Sequence, residues 1–255
     1  MSKLLLFLLV STIAFANNFQ CDKIINNGIL NICYSYTVKG PLYVDYNVSA
    51  NNVDRYNIKK RPRFYKDKHI NKKYSVSPND YINVTDSKTM RLSFDRGHMA
   101  PDADFDYSKQ SLLKVYTMAN ISPQRSIVNR ITWKKIEEKE RSIARKYGKI
   151  TVRTGSLYED KDLFLVKKSF QKIIENRERK YHKKYSEKYL KKQYKKYLKY
   201  KKSLYKKHIL IPTKLYKIIR YDNKKSCYLV DNIGNDIVSN NCSYVLNYIK
   251  KLTNR

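Results

Sequence analysis

Two clusters in this chain hold side chains able to do chemistry together. The first is the run Asp95-Arg96-Gly97-His98-Met99-Ala100-Pro101. The second is Asn120-Ile121-Ser122-Pro123-Gln124, followed by Asn129, Trp133, Glu137 and Arg141. Between them they supply an imidazole, an amide, a carboxylate and several guanidinium groups. An imidazole can take a proton from water near neutral pH. The fork of a guanidinium matches two oxygens of a phosphate. An amide oxygen and a carboxylate suit a hard cation such as Mg²⁺, which takes few protein ligands and keeps several waters. Hydrolysis of a phosphodiester bond requires that inventory.

Each residue also has a plainer reading. A lone histidine is ordinarily structural or exposed, but His98 follows Gly97, where the backbone is free to turn sharply, and lies close to Arg96. Asn129 fits the start of a helix. Asn129, Trp133, Glu137 and Arg141 form an i, i+4, i+8, i+12 series, which drifts slowly around one helix face. Glu137 and Arg141 read equally as an ordinary i,i+4 ion pair, worth only a few tenths of a kcal/mol. Spacing alone leaves the metal site and the plainer reading in balance.

The elements that must position these groups can be read from periodicity. Ile29–Val38 and Gly40–Val48 are rich in β-branched and aromatic residues and predict strands. Arg61-Pro62-Arg63-Phe64 predicts a loop or edge, and Ser77-Pro78-Asn79-Asp80 a turn. Arg91–His98 predicts a strand, Pro101–Asp104 the cap of a short helix through Ser108–Leu113, and Val115–Ile121 a buried strand. Ile127, Ile131, Trp133, Ile136, Ile143 and Ala144 recur at helical spacing, predicting a helix to Tyr147 that Gly148 stops. Strands are predicted at Ile150–Leu157 and Ile209–Leu215, a hairpin over Tyr216–Val230, and a closing helix over Ser239–Leu252.

Residues 167–208 differ from the rest. They carry 18 Lys/Arg and 3 Glu, with no Gly or Pro, and apolar positions recur near helical spacing from Phe170 to Leu204. One long helix or a helical hairpin fits. Its tyrosines either pack on the body of the protein or, as an arm, stack on exposed bases while Lys neutralises phosphates. The segment interrupts one domain; it does not link two.

Formal net charge is +32, from 54 Lys+Arg against 22 Asp+Glu in 255 residues. Heavy use of Lys, Asn, Ile and Tyr accounts for part of this, but not for the scarcity of acids. Polyanionic partners are expected. Lys3, the apolar run Leu4–Val10 and Ala14-Phe15-Ala16 predict a signal peptide over residues 1–16, too short for a comfortable membrane span. The expectation is an exported bacterial protein of residues 17–255, periplasmic or secreted, with no stable membrane insertion after cleavage. Cys21, Cys33, Cys227 and Cys242 allow three pairings; Cys21–Cys33 and Cys227–Cys242 are the simplest, and free thiols are the alternative.

The two clusters resemble the DNA/RNA non-specific endonucleases, whose core is the ββα-metal (His-Me finger) motif. Asp95-Arg96-Gly97-His98 matches the family's Asp-Arg-Gly-His. Asn120-x-x-Pro123-Gln124 and Asn129-x-x-x-Trp133-x-x-x-Glu137 match its downstream elements in order and distance. The resemblance covers Arg63 to Leu157 and, weakly, Ile209 to Tyr221. It implies an α+β fold: a mixed, mainly antiparallel sheet with a ββα-metal core, here carrying a long basic helical insertion at 167–208. It implies His98 as general base, and Asn129 as the direct protein ligand of Mg²⁺, with Mn²⁺ able to substitute. Glu137 would orient water on the metal; Arg96, Arg141 and, by a looser match, Arg63 would bind phosphate. Asp95 and Asn120 would stand behind them. The implied substrates are DNA and RNA, cut with little sequence preference to leave 5′ phosphates; homodimers occur in the family. Typical members have a much shorter connection where this chain has residues 167–208. Two rivals are a catalytically idle member that captures DNA through the basic arm, and a cationic envelope-binding protein.

Overall fold

The structure is a computed structural model that describes residues 20–56 and 58–253; the expected signal peptide lies outside the described residues. The chain begins with β1 (Lys23–Asn26), β2 (Leu30–Ser35) and β3 (Gly40–Ser49). In β3 the period-2 pattern of a half-buried strand turns Leu42, Val44, Tyr46 and Val48 inward. A 3-10 turn at Pro78–Tyr81 precedes β4 (Val84–Asp86) and β5 (Phe94–His98). Another at Asp102–Asp104 precedes α1 (Lys109–Val115), and a third at Met118–Asn120 leads into β6 (Ile121–Arg125). A π-helical segment, Val128–Trp133, runs into α2 (Lys134–Tyr147), which stops at Gly148 with φ +83°. The chain continues through β7 (Lys149–Leu157), β8 (Leu165–Lys167), α3 (Phe170–Tyr181) and α4 (Glu187–Lys207). It closes with β9 (Lys214–Tyr221), β10 (Lys224–Asp231), β11 (Ile237–Ser239) and α5 (Cys242–Thr253).

Seven strands in the order β1-β2-β3-β7-β9-β10-β11 form an antiparallel sheet, while β5 pairs with β6 and β4 with β8. The sheet is packed on both sides. Along β9, Tyr216 and Ile218 join Val245 and Ile249 of α5 on one face. Leu215 and Ile219 point the other way, toward Trp133, Ile136, Ile143 and Ala144. The second face also receives Met99, Ala100 and α1, so the β5–β6 pair and α2 sit on the large core as a rigid floor. No helix among the described residues is long and apolar enough to cross a membrane.

Four local expectations change. The strand expected at Ile209–Leu215 pairs only through an isolated bridge between Leu210 and Phe164, and β9 starts at Lys214. The buried segment Val115–Ile121 is not a strand: α1 runs to Val115, a 3-10 turn covers Met118–Asn120, and pairing starts at Ile121. Burial alone cannot distinguish these, because a tightly packed turn is as apolar as a strand. The short helix starts later than expected, with Ser108 capping it by accepting from the Ser111 N–H at 3.0 Å. In the helix before Gly148, Ile127 and Ile131 are exposed, while the charged Glu140 is fully buried.

The basic segment is a hairpin. No Gly or Pro breaks it; instead His182 takes a left-handed φ of 48° and Ser186 starts α4, accepting from the Tyr189 N–H at 3.4 Å. At its base Lys167 is buried and donates to the carbonyls of Asn79, Asp80 and Ile82, and Lys207 pairs with Asp80. Leu204 packs with Leu165, Ile209 and Ile211.

Disulfides join Cys21 to Cys33 and Cys227 to Cys242. The second pins α5 to β10 across a sequence separation of 15 residues. Closing a loop of that size in the unfolded chain is worth about 3 kcal/mol. Replacing both Cys227 and Cys242 with Ala is expected to lower the melting temperature by roughly 6–12 °C in calorimetry. An unchanged melting temperature would show that α5 docks without the crosslink.

Candidate active site

The site is built on the β5–β6 hairpin and the helix that follows it. In register, His98 faces Ile121, Gly97 faces Ser122 and Arg96 faces Pro123. Asn120 is fully buried and clamps the strand just beyond the histidine. Its side-chain oxygen accepts from the Ala100 N–H at 2.9 Å, and its amide donates to the carbonyls of Ala100 and Val115, both at 3.0 Å. The Met99 N–H donates to the Asn120 carbonyl at 2.9 Å. All this fixes where β5 ends and how His98 leaves it.

Gly97 serves a different purpose from the one its type suggested. It lies within extended β5 and makes no turn. A Cβ there would collide with the side chain of Gln124, so glycine is required for close packing across the hairpin.

His98 sits in an aromatic box. Its ring lies 5.2 Å from Phe64 and 4.9 Å, edge-on, from Tyr116. Its Nε2 is buried and has no hydrogen-bond partner among the described residues. Burial pushes the imidazole pKa down to about 4; Asp102 opposes this, while Arg61 and Arg96 reinforce it. The ring is therefore neutral at physiological pH and free to accept a proton. Arg96 lies over the Phe64 ring at 4.6 Å, beside the base it was expected to accompany.

Asp95 connects the strand to the helix. Its carboxylate accepts from Ser126 Oγ at 3.0 Å, from Asn129 Nδ2 at 3.1 Å, and from Arg130 through both Nε and Nη2 at 2.8 Å. Burial alone would raise its pKa, but these donors outweigh burial and hold the carboxyl below its ordinary range. With Nδ2 committed to Asp95, the Asn129 side chain has its oxygen left for the cavity it lines.

The helix face is not the one an i+4 series describes. The chain is π-wound from Val128 to Trp133, so Lys134, five residues after Asn129, lines the cavity with Asn129, Glu137 and Arg141. Trp133 turns into the core and is fully buried. Glu137 and Arg141 do not pair: Arg141 Nη1 instead bonds Asp104 at 3.0 Å, and Glu137 has no ion pair among the described residues. Burial drives the Glu137 pKa up to about 7; Glu140 adds to the rise, and Lys217 and Arg141 oppose it.

Beneath this face lies a buried charge cluster. Glu140 and Lys217, neither exposed at all, are ion-paired, and Lys217 Nζ also donates to Tyr46 Oη at 3.0 Å. The ammonium lies 5.4 Å from the Trp133 ring centroid. Asp104 is buried too, and burial together with Glu140 pushes its pKa well up. Sequence periodicity gave no sign of this cluster. A Glu within the otherwise apolar register of α2, and a Lys in the apolar strand β9, were the available signals.

The cavity enclosed by these parts has a volume of about 270 Å³ and is lined by Arg96, His98, Asp102, Asn129, Glu137 and Arg141, among others. Arg63 is exposed and is not among its lining residues. Arg61, two residues earlier, stands closer: it pairs with Asp102 at 3.3 Å and Asp106 at 3.1 Å. The described residues contain no group of three or more His, Cys, Asp or Glu able to hold a metal. The donor set fits a hard cation all the same. An uncommitted amide oxygen at Asn129 and an unpaired carboxylate at Glu137 open into one cavity, and an octahedral ion with mostly water and phosphate ligands needs no more.

Comparisons of sequence and structure bear on the family and the fold. The sequence profile of the DNA/RNA non-specific endonuclease family matches residues 12–248. The mitochondrial nuclease of Saccharomyces cerevisiae is 29% identical over 128 residues, covering 49% of this chain and 36% of that protein. Human mitochondrial endonuclease G is 31% identical over 78 residues, covering 31% of this chain and 26% of its own length. The matched segments thus span well under half of these relatives. A chain from the crystal structure of the EndoG/EndoGI complex superposes with a TM-score of 0.59 at 19% identity, covering 91% of this chain and 83% of that one, and shares the fold.

The raised Glu137 pKa has a measurable consequence. Its protonated form is favoured on folding, so its contribution to stability is present below the ordinary value of 4.5 and is lost as pH rises through about 7. Glu137→Gln removes that loss and is expected to stabilise the metal-free protein by roughly 1–3 kcal/mol at pH 8 and by little at pH 5. Melting curves of both proteins across that range test it. Parallel curves would mean that Glu137 is not held in a desolvated site.

Proposed function

Because the chain belongs to the DNA/RNA non-specific endonuclease family, we propose that it is a metal-dependent endonuclease that hydrolyses DNA and RNA with little sequence preference. The observation that carries this reading is a single cavity. A neutral, desolvated imidazole shares it with an amide oxygen and a carboxylate, flanked by two guanidinium groups.

In this reading a phosphodiester enters the cavity with Arg96 and Arg141 on its non-bridging oxygens. Asp104 and the Phe64 ring fix those two guanidinium groups in advance. His98 removes a proton from a water, whose oxygen forms a bond to phosphorus as the bond to the 3′ oxygen breaks. The departing 3′ oxygen gains a proton from solvent, leaving a 5′ phosphate and a 3′ hydroxyl. The imidazolium that forms is stabilised by nearby Asp102, which Tyr116 Oη and Arg61 hold in place. Asn129 and Glu137 would hold Mg²⁺, or Mn²⁺ in its place, and the cation would stabilise the growing charge on phosphate and leaving group. Asp95 and Asn120 act as positioning residues, one for Asn129 and the other for His98. These groups address phosphate and water, not base edges, so sequence tolerance follows. Export is supported by the two disulfides, which persist in an oxidising compartment.

Purified protein incubated with plasmid, with and without EDTA, tests the reading. Cleavage is expected only with the divalent cation. His98→Ala is expected to lower the rate by about 10²–10⁴ while DNA binding persists. Asn129→Ala should also lose activity, and added Mg²⁺ should restore only part of it. Wild-type rates in His98→Ala would overturn the assignment.

A further inference from the structure

The α3–α4 hairpin encloses a second cavity, of about 180 Å³, against the turn at Pro78–Tyr81 and the Ile82–Asn83 link that follows it. Its lining differs in kind from that of the catalytic cavity. Phe170, Tyr197 and Tyr200 supply aromatic faces; Arg177 and Lys196 supply charge. Phe170 lies 5.5 Å from Tyr197 with the rings tilted by 50°, so aromatic side chains of both helices meet in the cavity. The acids that could neutralise Arg177 are engaged elsewhere. Glu175 accepts from Gln171 at 3.0 Å, and Glu178 pairs with Lys184 at 3.3 Å. Among the described residues neither Arg177 nor Lys196 has an ion pair, although Lys196 lies over the Tyr200 ring at 6.0 Å; of the hairpin's cations only Lys184, in the link between the helices, and Lys191 and Lys207 on α4 reach a carboxylate.

So many unpaired like charges on adjacent helices cost stability, since like pairs at i,i+4 repel. A polyanion seated on the hairpin would remove that cost. The chemistry of the exposed face selects which polyanion. A membrane-binding helix needs a broad aliphatic or Trp-rich face to enter the acyl region. Here Leu204 is buried in the protein, and Leu198, at 44% exposure, stands among tyrosines and lysines. Tyrosine rings interleaved with cations are suited to unpaired bases and their phosphates. A cavity of about 180 Å³ is too small for a duplex.

We propose that the α3–α4 hairpin is a substrate-holding exosite for single-stranded nucleic acid, with one unpaired base seated among Phe170, Tyr197 and Tyr200 and its flanking phosphates on Arg177 and Lys196. This rests on the nuclease reading and adds to it a preference for unpaired segments and a hold on substrate away from the cut. Lys168, next to the hairpin, donates to Ser93 Oγ at 2.8 Å, and Ser93 immediately precedes β5. The base of the hairpin therefore touches the chain at the start of the strand that carries Arg96 and His98.

The test uses the full chain carrying His98→Ala, so that binding is read without cleavage. Anisotropy is measured with a labelled single-stranded 20-mer and with the corresponding duplex. Adding Tyr197→Ala and Tyr200→Ala is expected to weaken single-strand binding roughly 10- to 100-fold, and duplex binding by less than about threefold. Arg177→Ala with Lys196→Ala should reduce the salt dependence of log K by about 1.4. With His98 intact, the tyrosine variants should raise KM on long single strands and leave cleavage of a dinucleotide unchanged. Far-UV circular dichroism and melting temperature confirm that each variant is folded. Single-strand affinity unchanged by the tyrosine pair would overturn the proposal. So would preferential binding of the hairpin to phosphatidylserine vesicles. Either result leaves the plasmid assay of the nuclease reading untouched.

Discussion

The Asp95 carboxylate is the joint on which the site depends. It lies three residues before His98 on β5 and takes hydrogen bonds from Ser126, Asn129 and Arg130 at the start of the helix. In the proposed mechanism a base at His98 and a metal-facing amide at Asn129 are useful only at a fixed separation, and rigid spacing demands a bond between the elements that carry them. Asp95 provides it with several donors at once, enough to keep the carboxyl ionised despite partial burial. Asn120 does the corresponding work on the other side by holding Ala100 through both its amide atoms.

The second constraint is electrostatic. The chain carries a formal net charge of +32, yet acids collect beneath the cavity: Asp102, Asp104, Glu137 and Glu140. Most are matched locally, by Arg61, Arg141 and the buried Lys217. Glu137 has no such partner among the described residues, and burial raises its pKa. Breaking the buried Lys217–Glu140 pair from one side would leave an unpaired charge in the core, so that pair gives the helix bearing Glu137 and Arg141 a fixed seat.

Much of this was legible in the sequence, for identifiable reasons. Most strands followed their alternation, though Val115–Ile121 and Ile209–Leu215 did not form the strands expected; Gly148 ended its helix, and the two disulfides joined the cysteines nearest in sequence. The family was legible because the residue types of the two clusters are few and their order distinctive. What stayed hidden depended on winding and on contacts far apart in sequence. A π-helical turn between Asn129 and Lys134 cannot be inferred from an i+4 series, so Trp133 appeared on the wrong face and Lys134 was overlooked. Arg141 seemed bound to Glu137 because their spacing allowed it; Asp104, 37 residues away, took it instead. Arg61 was passed over for Arg63, since only the folded loop shows which of the two approaches Asp102.

The claim that Asn129 and Glu137 form a cation site opposite His98 is tested most directly by locating the metal. Crystals of the His98→Ala protein with Mn²⁺ and a short oligonucleotide would show the ion by anomalous scattering. One ion is expected within bonding distance of the Asn129 side-chain oxygen, about 2.0–2.2 Å, with phosphate and water completing the octahedron and Glu137 facing one of those waters. An ion held instead by Asp102 and Asp104, with the Asn129 oxygen unliganded, would contradict it.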